Sequence, residues 1–206
     1  TQLLGEMAIG SGKNAVICGN IGKPVMESLS DEAELYVVEL SSYQLDYTNS
    51  LNLLTGVVTN ITPDHLDRYP DYDIYIASKL NLYEYCQYSV VNLNEPLVKG
   101  VEGDSSYAIE EVTQSCEFSA KKVDGVFTLY QGEDILMTSN DLMIVGRHNV
   151  ENVLAALTLG HQVGLSVEEM IQVAKSFTGL PHRLEWVANL SGVDYFNNSK
   201  STNAIS

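Results

Sequence analysis

Four apolar segments, rich in β-branched residues and bounded by polar turns, constrain the fold of this chain most. They are NAVICGN, ELYVVELSS, LTGVVTNIT and SVVNLN. Near-continuous apolar runs of this length are typical of strands buried on both faces, as in a parallel sheet. Helical periodicity separates several of them, over residues 1–9, weakly over Pro24–Leu29 and strongly over Tyr72–Cys86. This alternation predicts an α/β domain with a doubly wound, mostly parallel sheet.

The second half of the chain has a different texture. Short alternating segments with turn signals over Ser105–Ile144 predict antiparallel hairpins. Two helices are predicted over Val150–Val163 and Val167–Phe177, with Gly164 ending the first. Ser166 is a suitable N-cap for the second helix, and a glutamate three residues later would complete a capping box. The segment LEWVANLSGVDYF then predicts a further hairpin.

Composition limits the partners that the chain can bind. The 206 residues are 45% hydrophobic, enough for one well-buried domain, and their formal net charge is -16. Such an acidic chain is poorly suited to nucleic acid or an anionic membrane, so backbone N–H groups, a metal or a few placed cations must hold any phosphate. Three cysteines without paired or metal-type spacing predict reduced thiols in a cytosolic protein. The chain has no signal peptide or membrane-length apolar run and begins inside a helical pattern without Met, so we expect a cytoplasmic fragment.

Lys79 lies in the middle of an apolar stripe at helical spacing. One interpretation is a snorkelling lysine, with a buried stem and an ammonium group in water. The other is a desolvated lysine, whose pKa is lowered because burial disfavours the charged form. A neutral amine can react with carbon dioxide to give a carbamate, and hard cations such as Mg²⁺ prefer oxygen ligands of that kind.

Two further candidate ligands follow predicted strands. His65 comes shortly after the predicted strand LTGVVTNI, and Glu39 lies at the end of the predicted strand LYVVEL. Ligands bind beyond the carboxyl ends of strands in open α/β sheets, so both side chains are expected in one crevice with Lys79. The alternatives are a loop histidine hydrogen-bonded to Asp64 or Asp67, and a strand-end carboxylate that faces solvent or caps a helix.

Seven segments occur in a specific order along the chain. They are GNIGKP, ELSSYQL, TNITPDHLDRY, ASKLNLYE, GRHNVENVLAA, FTGLPHRLE and NNSKSTN. On these segments the sequence resembles the Mur ligases over nearly all of its length, apart from about Ser105–Leu142. Each motif alone is weakly specific, but the ordered set is specific. ELSSYQL together with DHLDRY favours the members that add D-glutamate to UDP-N-acetylmuramoyl-L-alanine in peptidoglycan synthesis.

The resemblance implies that residues 1–206 are a piece of the central, P-loop-type ATP-binding domain. Family members also have an N-terminal domain that holds the UDP part of the substrate and a C-terminal domain that binds the amino acid. Their phosphate-binding glycine loop, with its Gly-Lys-Ser/Thr, is expected immediately before Thr1. Its amides and the following helix N-terminus would cradle the triphosphate. We therefore expect the 206 residues alone to be inactive. We also expect the whole ligase to be a monomer.

The family chemistry implies ATP and Mg²⁺ as cofactors, with two ions expected. ATP converts a substrate carboxylate into an acyl phosphate, which the amine of D-glutamate then attacks. By resemblance, Glu39 binds the Mg²⁺ next to the β- and γ-phosphates. His65 and carbamylated Lys79 serve the second ion, near the acyl-phosphate centre. Cations there offset the repulsion between the two anionic reactants.

The resemblance also assigns nucleotide-binding residues. Asn149 and Asn152 correspond to positions that hold adenine through their amides, although an Asn at a helix start is often only an N-cap. Arg183 corresponds to a phosphate-contacting arginine, with a surface arginine as the alternative. Asn198 stands where the family commonly has an aspartate that contacts the ribose, so the charge of that contact is missing.

Three residues correspond to the substrate side of the family site: Asn20, Lys200 and Thr202. Asn20 could equally be a simple turn residue. Two other functions stay open. One is a related Mur-type or folylpolyglutamate-synthase-like ligase that adds another amino acid, and the other is a nucleotide-binding module that kept the fold without turnover.

Overall fold

A computed structural model describes residues 1–64, 67–98, 100–110 and 116–200. Within these ranges the chain forms five α-helices and ten β-strands. In chain order they are α1 (Gln2–Gly10), β1 (Ala15–Gly19), β2 (Leu35–Glu39), α2 (Ser42–Asp46), β3 (Leu53–Val57), α3 (Tyr72–Leu80), β4 (Cys86–Asn92), β5 (Ser105–Ile109), β6 (Phe118–Val123), β7 (Val126–Gln131), β8 (Asp134–Thr138), α4 (Arg147–Gln162), α5 (Val167–Ser176), β9 (Glu185–Leu190) and β10 (Val193–Asn197).

The described strands form three sheets. β1 and β2 make a two-stranded parallel sheet, and β9 and β10 form an antiparallel hairpin. The largest sheet has the order β3-β4-β5-β6-β7-β8, parallel from β3 to β6 and antiparallel from β6 to β8. The predicted α/β fold with a mostly parallel sheet and an antiparallel subregion is confirmed.

The antiparallel prediction for Ser105–Ile144 is wrong at its first strand. β5 pairs parallel with β4 on one side and with β6 on the other. The reason is burial, because Tyr107, Ala108 and Ile109 are at most 1% exposed. A strand covered on both faces suits the middle of a parallel sheet. The hairpin prediction holds for β6, β7 and β8, and for the β9–β10 hairpin.

Several predicted helix bounds also differ. α3 ends at Leu80, and a 3-10 turn over Asn81–Tyr85 leads into β4, because Cys86 pairs with Leu53 of β3. α4 begins three residues earlier than predicted. Pro24–Leu29 contains only a short 3-10 turn.

The helix caps agree with the sequence in part. Ser166 accepts a hydrogen bond from the Glu169 N–H at 3.4 Å and donates from its hydroxyl to the Glu168 carboxylate at 3.0 Å. Gly164 follows α4 with φ +79°, in the left-handed region that favours glycine after a helix. A reciprocal capping box forms at α2 instead, between Ser41 and Gln44.

The main core lies between the large sheet and a layer of three helices. α4 packs against β3 to β6, and α1 packs against both α4 and α5. The buried stripe of α4 follows the helical period, with Val150, Val153, Leu154 and Leu157 at most 2% exposed. Each such side chain contributes about 2 kcal/mol by leaving water. Within the described ranges, no helix combines the length and apolarity needed to cross a membrane.

A second, smaller core lies beneath α3 and supports the segment that follows β3. It contains Val58, Ile61, Tyr69, Tyr75 and Val91. The rings of Tyr69 and Tyr75 meet edge to face, with centroids 5.3 Å apart. This core fixes α3 next to the carboxyl end of the parallel strands.

Candidate functional site

Glu39 and Asn20 meet where β1 and β2 end. The strands are parallel and in register, with Gly19 opposite Glu39. The Asn20 N–H donates to the Glu39 carbonyl at 2.8 Å, and the Asn20 side-chain amide donates to Glu39 Oε1 at 3.1 Å. A Cβ on Gly19 (φ +113°) would lie 2.2 Å from the Glu39 carbonyl oxygen, so only glycine permits this close approach. The turn therefore aims the Asn20 amide at the Glu39 carboxylate.

Lys79 reaches the same region from the last turn of α3. Its Nζ lies 5.3 Å from the centroid of the Tyr75 ring. Burial lowers the pKa of Lys79 below its ordinary value, against the opposing influence of the Asp64 and Glu39 carboxylates, which raise it. The amine is thus within electrostatic reach of both acids. A lowered pKa increases the neutral fraction, which is the form that reacts with carbon dioxide.

His65 lies outside the described residues, so its membership of the site stays a prediction. The backbone a few residues before it is held firmly. The Ile61 N–H donates to the Glu95 carboxylate at 3.0 Å, and the Tyr72 hydroxyl donates to the Ile61 carbonyl at 3.1 Å. The Asn92 side chain donates to the Thr59 carbonyl at 2.8 Å.

The donor types at this rim fit magnesium. Among the described residues, no group of three or more His, Cys, Asp or Glu side chains is arranged to hold a metal. Magnesium commonly binds one or two protein carboxylates together with substrate phosphates and water, so such a cage is not required. Glu39, oriented by Asn20, and a carbamate on Lys79 would supply oxygen ligands. The metal-ligand assignments stay predictions.

The two asparagines of α4 share a face at the beginning of the helix. The Asn149 side-chain amide donates to the Val145 carbonyl at 2.8 Å, and Asn152 donates to Asn149 Oδ1 at 3.5 Å. The N-cap of this helix is Gly146, so neither asparagine is the N-cap. The exposed Asn152 and the half-buried Asn149 leave an amide-lined surface there.

A separate cluster joins the segment before β9 to the segment after β10. Asn198 Oδ1 accepts a hydrogen bond from the Leu184 N–H at 3.2 Å, and the Lys200 N–H donates to the His182 carbonyl at 3.1 Å. Arg183 lies between these contacts with an exposed side chain. The structure therefore brings Arg183, Asn198 and Lys200 together, while Thr202 lies outside the described residues.

Residues missed by the sequence interpretation also contribute to the site. Asp46 at the end of α2 binds side chains of the segment after β3 and of α3. Asp64, considered only as a partner of His65, is close enough to affect the pKa of Lys79. Asp46 directly follows the ELSSYQL segment, but nothing in the local sequence marks it as a residue with partners elsewhere in the chain.

Asn20 and Glu39 lie at the carboxyl ends of the two-stranded parallel sheet, and Lys79 lies on the helix that follows β3 of the large sheet. Polar groups beyond the carboxyl ends of parallel strands are typical of ligand-binding α/β domains. Residues 20–160 match the Mur ligase middle domain, which defines the class of protein. The chain belongs to the Mur ligase family.

Two similar bacterial proteins have the same name. The chain is 42% identical to UDP-N-acetylmuramoylalanine–D-glutamate ligase of Marinobacter nauticus, over 98% of this chain and 46% of that protein. It is 40% identical to the protein of the same description in Hahella chejuensis, with the same coverage of 98% and 46%. The chain thus spans about half the length of the curated relatives it matches.

Solved structures share the fold at much lower sequence identity. A UDP-N-acetylmuramoyl-L-alanyl-D-glutamate–2,6-diaminopimelate ligase superposes with a TM-score of 0.73 at 18% identity, over 91% of this chain and 45% of that chain. A pseudomurein peptide ligase type C from Methanothermus fervidus superposes with a TM-score of 0.72 at 18% identity, over 91% and 48%. These likenesses support the fold.

Proposed function

We propose that the chain is the central ATP-binding domain of a ligase that joins D-glutamate to UDP-N-acetylmuramoyl-L-alanine in peptidoglycan synthesis. The observation that carries the proposal is the Glu39 carboxylate, held by the Asn20 amide at 3.1 Å where the parallel strands β1 and β2 end. Burial lowers the pKa of the Lys79 amine, and the Glu39 and Asp64 carboxylates oppose this effect. Relatives of about 40% identity that are described as D-glutamate ligases support the choice of amino acid.

The proposed reaction has two steps. A carboxylate oxygen of UDP-N-acetylmuramoyl-L-alanine attacks the γ-phosphorus of ATP, and ADP leaves, which gives an acyl phosphate. The amine nitrogen of D-glutamate then attacks the acyl carbon. Inorganic phosphate leaves with the C–O electron pair, and the nitrogen loses a proton to give the amide.

The chain's own residues would organise the phosphate end of this reaction. When bound, magnesium, as two ions in this proposal, neutralises charge on the phosphates. Asn20 orients the Glu39 carboxylate, and a carbamate on Lys79 adds a negative oxygen ligand on a long arm, with His65 as a further ligand. Asn20, Lys200 and Thr202 would line the substrate side.

The nucleotide would bind between the beginning of α4, which carries Asn149 and Asn152, and the segments next to the β9–β10 hairpin, which carry Arg183 and Asn198. Asn149 and Asn152 would hold adenine, and Arg183 would engage phosphate oxygens. Because Asn198 Oδ1 already accepts from the Leu184 N–H, its Nδ2 is the group left to meet the ribose. An aspartate would present an acceptor there, whereas Asn198 presents a donor.

The proposal also covers the surroundings of the reaction. The segments that bind the UDP moiety and D-glutamate would lie outside these 206 residues, in N-terminal and C-terminal domains of a longer ligase. That ligase would act in the cytoplasm as a monomer, without nucleic acid or membrane partners, in keeping with the net charge of -16.

The test is a lysine replacement in the complete ligase. Lys79→Ala is expected to lower D-glutamate-dependent phosphate release roughly 100-fold or more, the size seen when one group that stabilises charge in the transition state is removed. Lys122→Ala is the matched control. Lys122 Nζ lies 5.2 Å from the Phe127 ring in a similar contact, but on β6, in the antiparallel part of the large sheet. The assay contains no added short carboxylates, because these could replace the missing carbamate. Wild-type activity of Lys79→Ala under this condition would show that the metal-site assignment is wrong.

A second candidate is a nucleotide-binding module without turnover, and Asn198 in place of the usual aspartate favours it. The two functions separate in one assay of the complete wild-type protein. Tight ATP binding without D-glutamate-dependent phosphate release supports the module, whereas release in step with amide formation supports the ligase.

A further inference from the structure

Asp46, the last residue of α2, binds three donors from other segments of the chain. Its Oδ1 lies 2.5 Å from Ser78 Oγ, and its Oδ2 accepts from the Tyr69 hydroxyl at 2.8 Å. Arg68 Nη2 lies 3.5 Å from the same Oδ2. The Asp46 side chain is 27% exposed, so the carboxylate is largely covered by these partners.

These donors come from segments that carry the candidate metal ligands. Ser78 immediately precedes Lys79 in α3, and Tyr69 follows His65 by four residues in the sequence. Asp46 itself belongs to the short helix that begins three residues after Glu39. One carboxylate therefore connects the three segments in which Glu39, His65 and Lys79 occur.

Additional contacts close the network. Ser78 Oγ lies 3.1 Å from the Ser42 carbonyl oxygen, and the Tyr69 hydroxyl lies 3.3 Å from Ser78 Oγ. The Arg68 guanidinium lies 4.3 Å from the centroid of the Tyr43 ring on α2, which adds a cation–π contact between the same two segments. The connection does not depend on a single hydrogen bond.

The charge of Asp46 is maintained by its partners. Partial burial alone would raise the pKa of Asp46, but hydrogen bonds from Ser78, Tyr69 and Arg68 outweigh it and hold the pKa below its ordinary value. The carboxylate stays ionised at neutral pH, so it accepts from all three donors at once. Hydrogen bonds to a charged acceptor are the stronger kind.

We propose that Asp46 is a positioning residue for the magnesium site, holding the Lys79 helix and the segment of Arg68 and Tyr69 at a fixed distance from Glu39. The inference rests on the proposed function. Its physical basis is that the segment between β3 and α3 has no regular secondary structure in its described residues, whereas ligand groups must be placed within a fraction of an ångström. Outer groups that orient ligands typically change metal affinity 10- to 100-fold when they are removed.

The experiment compares four variants of the complete ligase. Asp46→Asn turns one carboxylate oxygen into a donor that faces donors, and Asp46→Glu keeps both oxygens and the charge. Tyr69→Phe removes one donor while keeping the ring against Tyr75. Asp141→Asn is the matched control, because Asp141 accepts from the Thr138 N–H at 2.7 Å and hydroxyl at 2.8 Å beyond β8, at the opposite edge of the sheet from β3.

Three quantities are measured for each variant. They are the thermal midpoint, the Mg²⁺ concentration at half-maximal phosphate release, and the ¹³C NMR signal of the lysine carbamate in ¹³C-bicarbonate. Asp46→Asn is expected to raise the half-saturating Mg²⁺ concentration roughly 10-fold and to lower the carbamate signal. Tyr69→Phe should change both in the same direction by less, and Asp46→Glu should recover part of the loss.

The outcomes separate a positioning role from a purely structural one. If Asp46→Asn and Tyr69→Phe lower the thermal midpoint as Asp141→Asn does, but keep wild-type Mg²⁺ dependence and carbamate signal, Asp46 has no positioning role. If the wild-type ligase itself shows neither a carbamate nor D-glutamate-dependent phosphate release, the proposed function fails and the positioning role fails with it. If the Mg²⁺ dependence and the carbamate signal change in the Asp46 and Tyr69 variants but not in Asp141→Asn, the results support both the positioning role and the proposed function.

Discussion

The side-chain amide of Asn20 donates to Glu39 Oε1 at 3.1 Å, so a residue that follows β1 orients the acid that ends β2. The backbone reinforces this pairing, since the Asn20 N–H also donates to the Glu39 carbonyl at 2.8 Å. Two neighbouring strands thereby act as one unit that presents a carboxylate. A carboxylate held in this way loses less side-chain entropy when it binds a metal.

Replacing Asn20 should therefore weaken magnesium binding in the complete ligase. Asn20→Ala is expected to raise the half-saturating Mg²⁺ concentration roughly 10-fold, since the proposed metal ligand Glu39 would lose its orienting partner. Asn189→Ala is the control, because Asn189 donates to the Asp194 carboxylate at 2.9 Å in an otherwise similar pair on the β9–β10 hairpin. Equal Mg²⁺ dependence in both variants would mean that the Asn20 contact has no bearing on the metal.

Lys79 should lower the free energy of unfolding when no ligand is bound. Its folded-state pKa lies below the ordinary 10.5, so the unfolded chain binds the lysine proton more tightly and folding is penalised. The penalty is complete below the folded-state pKa and disappears as pH rises to about 10.5. Lys79→Met should thus leave the free energy of unfolding at pH 7 unchanged or higher, while ligase activity is lost.

Urea unfolding at pH 7 and pH 10 measures this effect, with Lys122→Met as the exposed control. The gain from Lys79→Met should shrink at the higher pH, while Lys122→Met should change stability little at either pH. A Lys79→Met variant that is clearly less stable than wild type at pH 7 would indicate a structural lysine whose contacts outweigh its desolvation.

The fold was largely predictable because most of its parallel strands are continuous apolar runs, which can be recognised from the local sequence alone. β5 was mispredicted because SSYAI is short and lies among alternating segments, so nothing local distinguishes it from a hairpin strand. Its parallel pairing with β4 is decided by burial between two neighbours, which is a non-local property. The helix predicted over Tyr72–Cys86 is confirmed over Tyr72–Leu80 and is too long at its end for a similar reason, because pairing with β3 places Cys86 in a strand.

The proximity of two candidate site residues follows from their positions along neighbouring strands, whereas their roles stay predictions. Glu39 and Asn20 are adjacent because parallel strands end at one edge of a sheet. Asp46 was not predictable from local pattern, since its partners Tyr69 and Ser78 lie 23 and 32 residues away along the chain. An acid at the end of a short helix ordinarily indicates a solvent-exposed residue, and only the tertiary packing of α2 on α3 gives it partners.

The core of α4 provides a test of the fold that does not depend on the site. Leu154 is fully buried between the helix layer and the large sheet, so Leu154→Ala should lower the free energy of unfolding by about 2–5 kcal/mol. Leu54→Ala is the control, since the Leu54 side chain is 43% exposed on β3 and its loss should change stability by under about 1 kcal/mol. Urea unfolding followed by far-ultraviolet circular dichroism measures both, and equal losses would contradict the core assignment.

Tyr83 should make the domain sensitive to alkali. Its hydroxyl accepts from the Val58 N–H and donates to the Val90 carbonyl, both at 3.1 Å, next to the segment that leads to the site. Burial raises the pKa of Tyr83 from 10.0 to about 12, against the opposing effect of the Val58 hydrogen bond. A raised phenol pKa means that the folded state keeps the proton more tightly than the unfolded chain. The contribution of this proton to stability is therefore complete below pH 10 and is lost as pH rises towards 12.

Tyr83→Phe should therefore be less stable than wild type at pH 8, because the Val58 and Val90 groups lose their partner. Between pH 10 and 12, however, the variant should lose less further stability than wild type. Thermal midpoints across that range, with Tyr88→Phe as the control because the Tyr88 side chain is 44% exposed, measure the difference. Parallel pH profiles for wild type and Tyr83→Phe would show that this phenol does not govern the alkaline transition.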